Sequence, residues 1–431
     1  MNFERGTYMK IKVVKKSYED VLAIKPRKPQ KPKRVNILWR TLLYLVSKPT
    51  LVKFHYKLKK VDMDKLGKRE PALFLMNHSS FTDMKMAAAS LYPRKFNIVC
   101  TYDAFMGKNW LMKQIGCTPT HKYVNDVALI RNIIHATKKN RHSVLMYPEA
   151  CYSADGKTTV LPESLGGFIK MLGIPVVMIT TFGAFARDPL YNNLQIRKVK
   201  ISAEMKYILS PEDINEKSAD ELNEVIGKCF DLDYFKWQQD GKVKIDEPWR
   251  AEGLNRVLYK CPHCLVEGNM FTKGAELVCS ECGHKYTLDE YGYLVHEGEG
   301  GKFNHVPDWY AWERECVRRE LEDGTYKLSD GVDIYMLVDT KALYRVGEGE
   351  ICQTPEGIHL TGLDGKLDIF QKPQAAYTLN TDFNWYEIGD IICIADKGRL
   401  YYCFPKTKRD IVSKARLATE EAYKIYKNSK K

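Results

Sequence analysis

Short apolar runs alternate with helical runs between residues 53 and 180, and this alternation constrains the fold more than any other feature. The runs PALFLM (71–76), SVLMY (143–147) and PVVMIT (175–180) are almost entirely apolar, and helical segments separate them. Strands that are buried on both faces and joined by helices are typical of a largely parallel sheet. The sequence therefore predicts an α/β domain over residues 53–250, with a mostly parallel sheet and flanking helices.

Composition divides the rest of the chain into three segments. Residues 1–52 contain a Lys/Pro-rich stretch and the apolar run VNILWRTLLYLV (35–46), which predict a basic arm and an amphipathic helix ended by Pro49. Residues 255–300 contain two CxxC pairs. Residues 305–431 contain short strands with Gly and Asp turns and a closing helix, which predict a small β-rich domain. Strands followed by one helix would suit a pleckstrin-homology-like barrel.

The positive charge is concentrated at the N-terminus. The net charge is +13, and residues 1–60 hold 17 Lys and Arg against three acidic residues. Such a cluster favours an anionic partner, either phospholipid headgroups or nucleic acid, although a solvated tail is the alternative. A helix over residues 35–46 would be about 18 Å long, too short for a hydrocarbon core of about 30 Å. It is predicted to lie at a membrane interface, or else to pack on its own domain.

The start of the chain and its cysteines indicate the compartment. MNFERGTYMKIKVVKK lacks the apolar region of a signal peptide. Eight of the 12 cysteines have no framework spacing, so free or metal-bound thiols are expected. The predicted location is the cytoplasm, with peripheral attachment to the inner face of the cell membrane.

The segment NHSSFTD (77–83) places a histidine and an aspartate directly after an apolar strand. Open α/β sheets bind ligands at the carboxyl ends of their strands. A turn would let Asp83 accept the Nδ1 proton of His78, leaving Nε2 as a general base, while Thr82 would cap the next helix. The pair has no nucleophile of its own, so a substrate hydroxyl is expected to attack. The alternative is a core histidine satisfied by a nearby aspartate.

Four blocks resemble the lysophospholipid (1-acylglycerol-3-phosphate) acyltransferase family. NHSSFTD is similar to the first motif of that family, and IPVVMI (174–179) is similar to its last block. GCTPTHK (116–122) lies where the family has G-x-x-F-I-x-R, and YPEACYS (147–153) lies where it has F-P-E-G-T-R-S. The blocks have the family's order and spacing, and the resemblance covers roughly residues 55–200.

The resemblance implies transfer of a fatty acyl group from a thioester to an acceptor hydroxyl, without an acyl-enzyme. It implies that His78 is the base and Asp83 its partner. Glu149 would bind the acceptor's glycerol hydroxyl, and Lys122 its phosphate. The implied donor is acyl-CoA or acyl carrier protein, and the implied acceptor is a lysophospholipid at the membrane surface. Backbone N–H groups near Thr82 and Asp83 are the expected oxyanion donors.

The two middle blocks depart from the family pattern. Lys122 replaces Arg, which keeps the charge but loses the bidentate fork for phosphate. After Glu149, the residues Ala150, Cys151 and Tyr152 replace Gly, Thr and Arg. One or two phosphate ligands are therefore expected to be weakened or missing. Cys151 is expected to be a buried filler and not a nucleophile.

The two CxxC pairs, CPHC and CSEC, are separated by 14 residues. This spacing predicts a zinc ribbon in which four thiolates hold one structural Zn²⁺; a ribbon without metal or a redox pair is the alternative. The predicted ligands are Cys261, Cys264, Cys279 and Cys282. His263 and His284 lie close to them but are not needed as ligands. Loss of the metal is expected to destabilise residues 255–300 without affecting the acyl-transfer residues.

These features together predict a membrane-surface acyltransferase that acts on a lysophospholipid-type acceptor. Two alternatives belong to other classes of protein. One is a non-catalytic lipid- or protein-binding scaffold on a degenerate acyltransferase fold, which the altered YPEACYS block favours. The other is a nucleic-acid-binding zinc-ribbon protein, which the basic arm favours. The acidic residues of segment 255–300 argue against the second, and no nucleic-acid partner is expected.

Overall fold

The computed structural model of the chain describes residues 11–25, 31–120, 127–298, 300–396, 398–407 and 411–430. Within these residues the predicted fold class is confirmed. A mostly parallel sheet with flanking helices is followed by a small antiparallel ribbon, and then by a β-rich region that ends in a helix.

The N-terminal segment is part of the C-terminal sheet and not wholly a free arm. Strand β1 (Val13–Lys15) pairs in parallel with residues 343–345, and helix α1 (Tyr18–Leu22) follows it. The side chain of Val21 is fully buried. Within the predicted basic arm, residues 13–22 are therefore not free in solvent, because Val14 and Leu22 pack against the core and Val21 is buried in it.

Helix α2 (Ile37–Lys53) begins at Asn36, whose side chain accepts a hydrogen bond from the backbone N–H of Trp39. The predicted end at Pro49 is wrong, since the helix continues through it. An interior proline costs about 3 kcal/mol, but burial of Leu51 and Phe54 contributes about 1.5–3 kcal/mol each. Among the described helices, none combines the length and the apolar character needed to cross a membrane.

The central sheet has seven strands in the order β2-β8-β7-β3-β6-β4-β5. All its pairings are parallel except that between β7 and β8. The strands are β2 (Lys57–Val61), β3 (Leu73–Met76), β4 (Phe96–Thr101), β5 (Cys117–Thr120), β6 (Ser143–Met146), β7 (Val176–Phe182) and β8 (Ser202–Leu209). Every residue of β3 is completely buried, as its unbroken apolar run predicts.

Helices cover both faces of this sheet. The segment 79–82 turns the chain from β3 into α3, and the carboxyl ends of β6, β3 and β7 lie side by side. Residues that follow these three strands therefore meet at one edge. The helices are α3 (Asp83–Leu91), α4 (Asn109–Gln114), α5 (Val127–Ile134), α6 (Leu165–Leu172), α7 (Ala184–Arg187), α8 (Pro211–Glu216), α9 (Ala219–Cys229) and α10 (Tyr234–Asp240).

The ribbon is a four-stranded antiparallel sheet in the order β12-β11-β10-β9. Its strands are β9 (Met270–Lys273), β10 (Glu276–Cys279), β11 (Lys285–Leu288) and β12 (Leu294–His296). The first CxxC pair precedes β9, and the second begins at the last residue of β10. The antiparallel pairing thus brings the two pairs together.

The C-terminal region begins with a helix that the sequence analysis missed, α11 (Val306–Glu322). Seven antiparallel strands follow in the order β16-β15-β14-β13-β19-β18-β17, as two meanders joined by the pairing of β13 with β19, and α12 (Ile411–Asn428) follows them. The pleckstrin-homology-like interpretation of this region stays a prediction. The strands are β13 (Leu328–Met336), β14 (Leu343–Thr354), β15 (Gly357–Gly362), β16 (Leu367–Gln371), β17 (Asn380–Trp385), β18 (Gly389–Asp396) and β19 (Arg399–Pro405).

One hydrophobic core joins the ribbon and the C-terminal region to the α/β domain. Phe185 and Tyr234 of the α/β domain belong to the same buried cluster as Tyr286 of the ribbon and Trp309 of α11. Tyr234 also stacks on Phe185 at 5.3 Å. The three regions therefore share buried apolar surface, although sequence composition separates them.

Candidate active site and metal centre

The motif turn, residues 78–83, brings His78 and Asp83 together. Nδ1 of His78 lies 3.0 Å from Oδ2 of Asp83, and this carboxylate oxygen also accepts the N–H groups of Ser79 at 2.8 Å and Ser80 at 3.0 Å. One carboxylate oxygen thus binds both the imidazole and the backbone of the turn. The side chain of His78 is 21% exposed and that of Asp83 is 1% exposed. Within the described ranges, no residue forms a hydrogen bond with Nε2 of His78.

Two smaller expectations about the motif turn are wrong. Thr82 makes no capping bond to α3; its hydroxyl accepts a hydrogen bond from Arg187 Nη1 at 2.6 Å. The N–H of Thr82 donates to Ser80 Oγ, and the N–H of Asp83 donates to Ser80 O. Because the tight turn satisfies both N–H groups internally, they are not the oxyanion donors that the resemblance led us to expect.

Glu149 is buried beside His78 and binds backbone groups. Its Oε1 accepts the N–H of His78 at 2.9 Å, and its Oε2 accepts the N–H of Thr159 at 2.9 Å. Burial raises the pKa of Glu149 to about 7, against the opposing effect of these two donors. The carboxyl group therefore ties the start of the motif turn to the loop after β6. Its role as a ligand of the acceptor hydroxyl stays a prediction.

Aromatic rings hold the imidazole on two sides. The ring of His78 lies 4.3 Å from that of Tyr147 and 4.1 Å from that of Tyr152. Tyr152 also contacts Phe81, whose side chain is largely exposed. Tyr152 occupies the position at which the family pattern has Arg, so an aromatic ring here takes the place of a cation. The site thus has an apolar, aromatic entrance.

Cys151 and Lys122 are the predicted residues that remain in the two middle blocks. Cys151 is buried, and its thiol donates to the backbone oxygen of Glu149 at 3.3 Å. This agrees with the packing role expected for Cys151. Lys122 lies outside the described residues, so its phosphate-binding role stays a prediction.

A buried ion pair supports the motif turn, and the sequence analysis missed it. Arg187 Nη1 donates to Asp188 Oδ2 at 2.9 Å, and Asp188 Oδ1 accepts the hydroxyl of Ser80 at 2.6 Å. The guanidinium group also lies 4.1 Å above the ring of Phe54. Burial raises the pKa of Asp188 to about 6, although Arg187 opposes the shift. The signal available in the sequence was a charged pair, ARDP, soon after the apolar strand 175–180.

The four ribbon cysteines form a cluster that can hold a metal ion. All four sulfur atoms lie within 4.8 Å of one another, and the pairs Cys261–Cys282 and Cys264–Cys279 are each 3.6 Å apart. A tetrahedral Zn²⁺ with Zn–S bonds of about 2.3 Å needs sulfurs about 3.8 Å apart. The thiols are all free, so the donor set fits the predicted structural zinc.

Comparison with known proteins bears on the α/β domain. Residues 57–181 match the family model described as Acyltransferase. One similar solved structure is the crystal structure of the 1-acyl-sn-glycerophosphate (LPA) acyltransferase, PlsC, from Thermotoga maritima. The two chains are 15% identical with a TM-score of 0.37, and the match covers 44% of this chain and 76% of that chain. No curated protein matches the chain.

The family match covers all four sequence blocks in full and nearly all of the strands that carry the site. It includes the motif turn, Glu149 and most of β7, with which the Arg187–Asp188 pair is continuous. Residues 57–181 therefore match the acyltransferase family model, in agreement with the resemblance that the sequence motifs predict.

Proposed function

We propose that this chain transfers a fatty acyl group from a thioester donor to the hydroxyl of a lysophospholipid-type acceptor at a membrane surface. The geometry of His78 and Asp83 is the observation that carries the proposal. The carboxylate holds Nδ1 in its protonated form, which directs the basic Nε2 of a partly exposed ring outward. Acyl-CoA or acyl carrier protein is the proposed donor.

The proposed reaction needs no nucleophile from the protein. His78 Nε2 removes the proton of the acceptor hydroxyl while that oxygen attacks the thioester carbonyl. The new C–O bond forms, the C–S bond breaks, and the imidazolium returns its proton to the departing thiolate. Asp83 stabilises the imidazolium between these steps. Tyr147 and Tyr152 restrict rotation of the ring, so that Nε2 keeps one direction.

An exposed apolar face of α2 supports action at a membrane surface. Leu38 and Val46 of this helix are 67% and 62% exposed. Trp110 of α4 is also exposed, and its ring contacts that of Trp39 at 5.4 Å. An amphipathic helix of this kind inserts shallowly into the headgroup region. The apolar residues exposed on α2 are Ile37, Leu38, Leu42, Leu45, Val46 and Val52.

The decisive experiment is lipid mass spectrometry of the purified chain incubated with mixed lysolipids and acyl thioesters. We expect a diacyl product with the wild type and at least a thousandfold loss with His78→Ala, because removing the base removes the proton acceptor. His359→Ala, at an exposed histidine of β15, is the matched control and should retain activity. Turnover by His78→Ala close to wild type would refute the mechanism. A wild type inert toward every donor and acceptor would favour the scaffold alternative.

A further inference from the structure

We propose that His263, His284 and His296 form a second metal site on the ribbon, for a divalent ion of the Zn²⁺ or Co²⁺ class. One ring nitrogen of each histidine lies within 4.8 Å of those of the other two. The ring centroids are 3.2 Å apart for His263 and His284, and 5.1 and 5.5 Å apart for the pairs with His296. All three residues are half-buried. The sequence analysis left the first two without a role.

The ribbon fold brings the three side chains together from separate segments. His263 lies inside the first CxxC pair, His284 follows the second pair, and His296 ends β12. Gly300 and Gly301, which come after β12, approach His263 and His296. A Cβ atom on Gly301 would lie 2.8 Å from the Cβ of His296, so a glycine is required where the chain approaches the cluster.

Each histidine has a partner for one of its two ring nitrogens. His263 Nε2 lies 3.2 Å from the hydroxyl of Tyr286, and His296 Nδ1 lies 3.4 Å from the oxygen of Gly298. His284 Nδ1 lies 3.7 Å from the sulfur of Cys282. Metal-binding histidines commonly donate one N–H to such a partner and bind the metal through the other nitrogen. Nδ1 of His263 and Nε2 of His284 and His296 are then the ligand atoms.

This site would differ in chemistry from the four-cysteine cluster. Four thiolates complete a tetrahedral set, whereas three imidazoles leave one position for water. Zn–N bonds of about 2.0–2.1 Å place the nitrogens about 3.3 Å apart. The rings, now 21–23° from parallel, must therefore turn for their lone pairs to converge. The ammonium of Lys302 donates to the backbone oxygen of Pro262, next to His263, and its positive charge opposes a nearby cation, so the affinity should be lower than that of the thiolate cluster.

The test is a Co²⁺ titration of the full-length, metal-depleted protein, followed by absorption spectroscopy and by metal analysis of the desalted protein. We expect two equivalents per chain. The first should produce the intense thiolate-to-cobalt charge-transfer band. The second should add only ligand-field bands in the visible region, since imidazoles bind it. A titration that saturates at one equivalent, or a second equivalent that adds thiolate charge transfer, would overturn the proposal.

Two variants identify the ligands. His296→Ala lies outside both CxxC pairs and should bind the second equivalent at least tenfold more weakly while keeping the first. His359→Ala, the matched control at an exposed histidine far along the chain, should keep both. Equal binding of the second ion by His296→Ala and the wild type would show an adventitious surface ion and would also overturn the proposal. If His296→Ala does not fold, the wild-type spectra alone decide.

Discussion

At the scale of residues, the site is built from carboxyl groups that bind the backbone of the motif turn. Oδ2 of Asp83 lies within hydrogen-bond distance of His78 Nδ1 and accepts the backbone N–H groups of Ser79 and Ser80. Glu149 accepts the backbone N–H of His78. An intramolecular hydrogen bond contributes about 0.5–1.5 kcal/mol net, and more where the acceptor is charged. The imidazole is thus oriented through its ring and through its backbone, a degree of fixation that proton transfer from a bound hydroxyl requires.

The raised pKa of Glu149 leads to a prediction about stability. Because this pKa is about 7 in the folded protein and near 4.3 when unfolded, the folded state holds an extra proton between these values. The stability that this proton contributes is present below about pH 4 and is lost as the pH rises through 7. Glu149→Gln does not titrate. Its free energy of unfolding relative to wild type should therefore rise by about 3 kcal/mol between pH 4 and 8.

Denaturant unfolding across this pH range checks the prediction. The difference between variant and wild type isolates Glu149, because other titrating groups are common to both proteins. Glu163→Gln, at an exposed position, is the control and should run parallel to the wild type. A Glu149→Gln curve parallel to the wild type would contradict the assigned pKa.

At the scale of elements, α7 supports the motif turn through Arg187, its last residue, and through Asp188, which follows it. Thr82 is the link on the turn, since its hydroxyl accepts from Arg187 Nη1. Thr82→Val preserves the shape but removes this acceptor, which should cost about 1–3 kcal/mol of stability. We expect kcat to fall about tenfold with little change in KM, because the turn orients His78 and does not bind substrate. Thr82→Ser retains the hydroxyl and should restore kcat; an unchanged kcat in Thr82→Val would refute the supporting role.

The apolar face of α2 leads to a second prediction at this scale. Replacing Leu38 and Val46 together by Glu should lower cosedimentation with anionic vesicles severalfold, most clearly at high salt. Screening weakens the contribution of basic residues, whereas burial of apolar side chains persists. The control is the double variant Leu265→Glu and Phe271→Glu, which changes exposed apolar residues of the ribbon. Equal loss in both variants would show that α2 has no special part in binding.

At the scale of the whole molecule, the C-terminal regions are coupled to the active site. The side-chain amide of Asn77, which precedes His78, donates to the hydroxyl of Tyr234, and Tyr234 belongs to the core shared with the ribbon. Nε2 of His305, the residue before α11, lies 2.9 Å from Oδ2 of Asp233, the residue before α10. These contacts join the C-terminal regions to residues beside His78. Metal loss is therefore not expected to affect residues 255–300 alone.

Removal of the metal should therefore weaken the entire chain. With Cys261 and Cys279 both changed to Ser, we expect loss of the tightly bound zinc, a lower Tm in a single transition, and reduced acyl transfer. Metal binding free energy contributes directly to folding where the site forms only in the folded state. The control changes Cys229 and Cys352, which lie outside the cluster, to Ser as well. It should keep the zinc. Two separate transitions, with acyl transfer intact after the first, would show that the regions are independent.

The sequence by itself determined the features that depend on local pattern. Unbroken apolar runs predicted the buried parallel strands, the spacing of His78 and Asp83 predicted their contact, and the two CxxC pairs predicted the thiolate cluster. Each of these signals lies in residues that are adjacent or separated by one turn or one short loop. For such residues, the repeat of side-chain directions along a strand or helix and the geometry of the chain are sufficient to predict burial and contact.

Only the tertiary structure decided which distant groups support the site. Arg187 bonds to Thr82, and Asp188 to Ser80, across more than a hundred positions, and β1 pairs with residues 343–345. Helix α11 and the passage of α2 through Pro49 likewise depend on burial against neighbours, which outweighs local propensity. Glu149 resembled a substrate ligand in sequence, but its oxygens bind backbone N–H groups because the adjacent ends of β3 and β6 place those donors beside it. Such contacts arise from the packing of the strands, which no local pattern encodes.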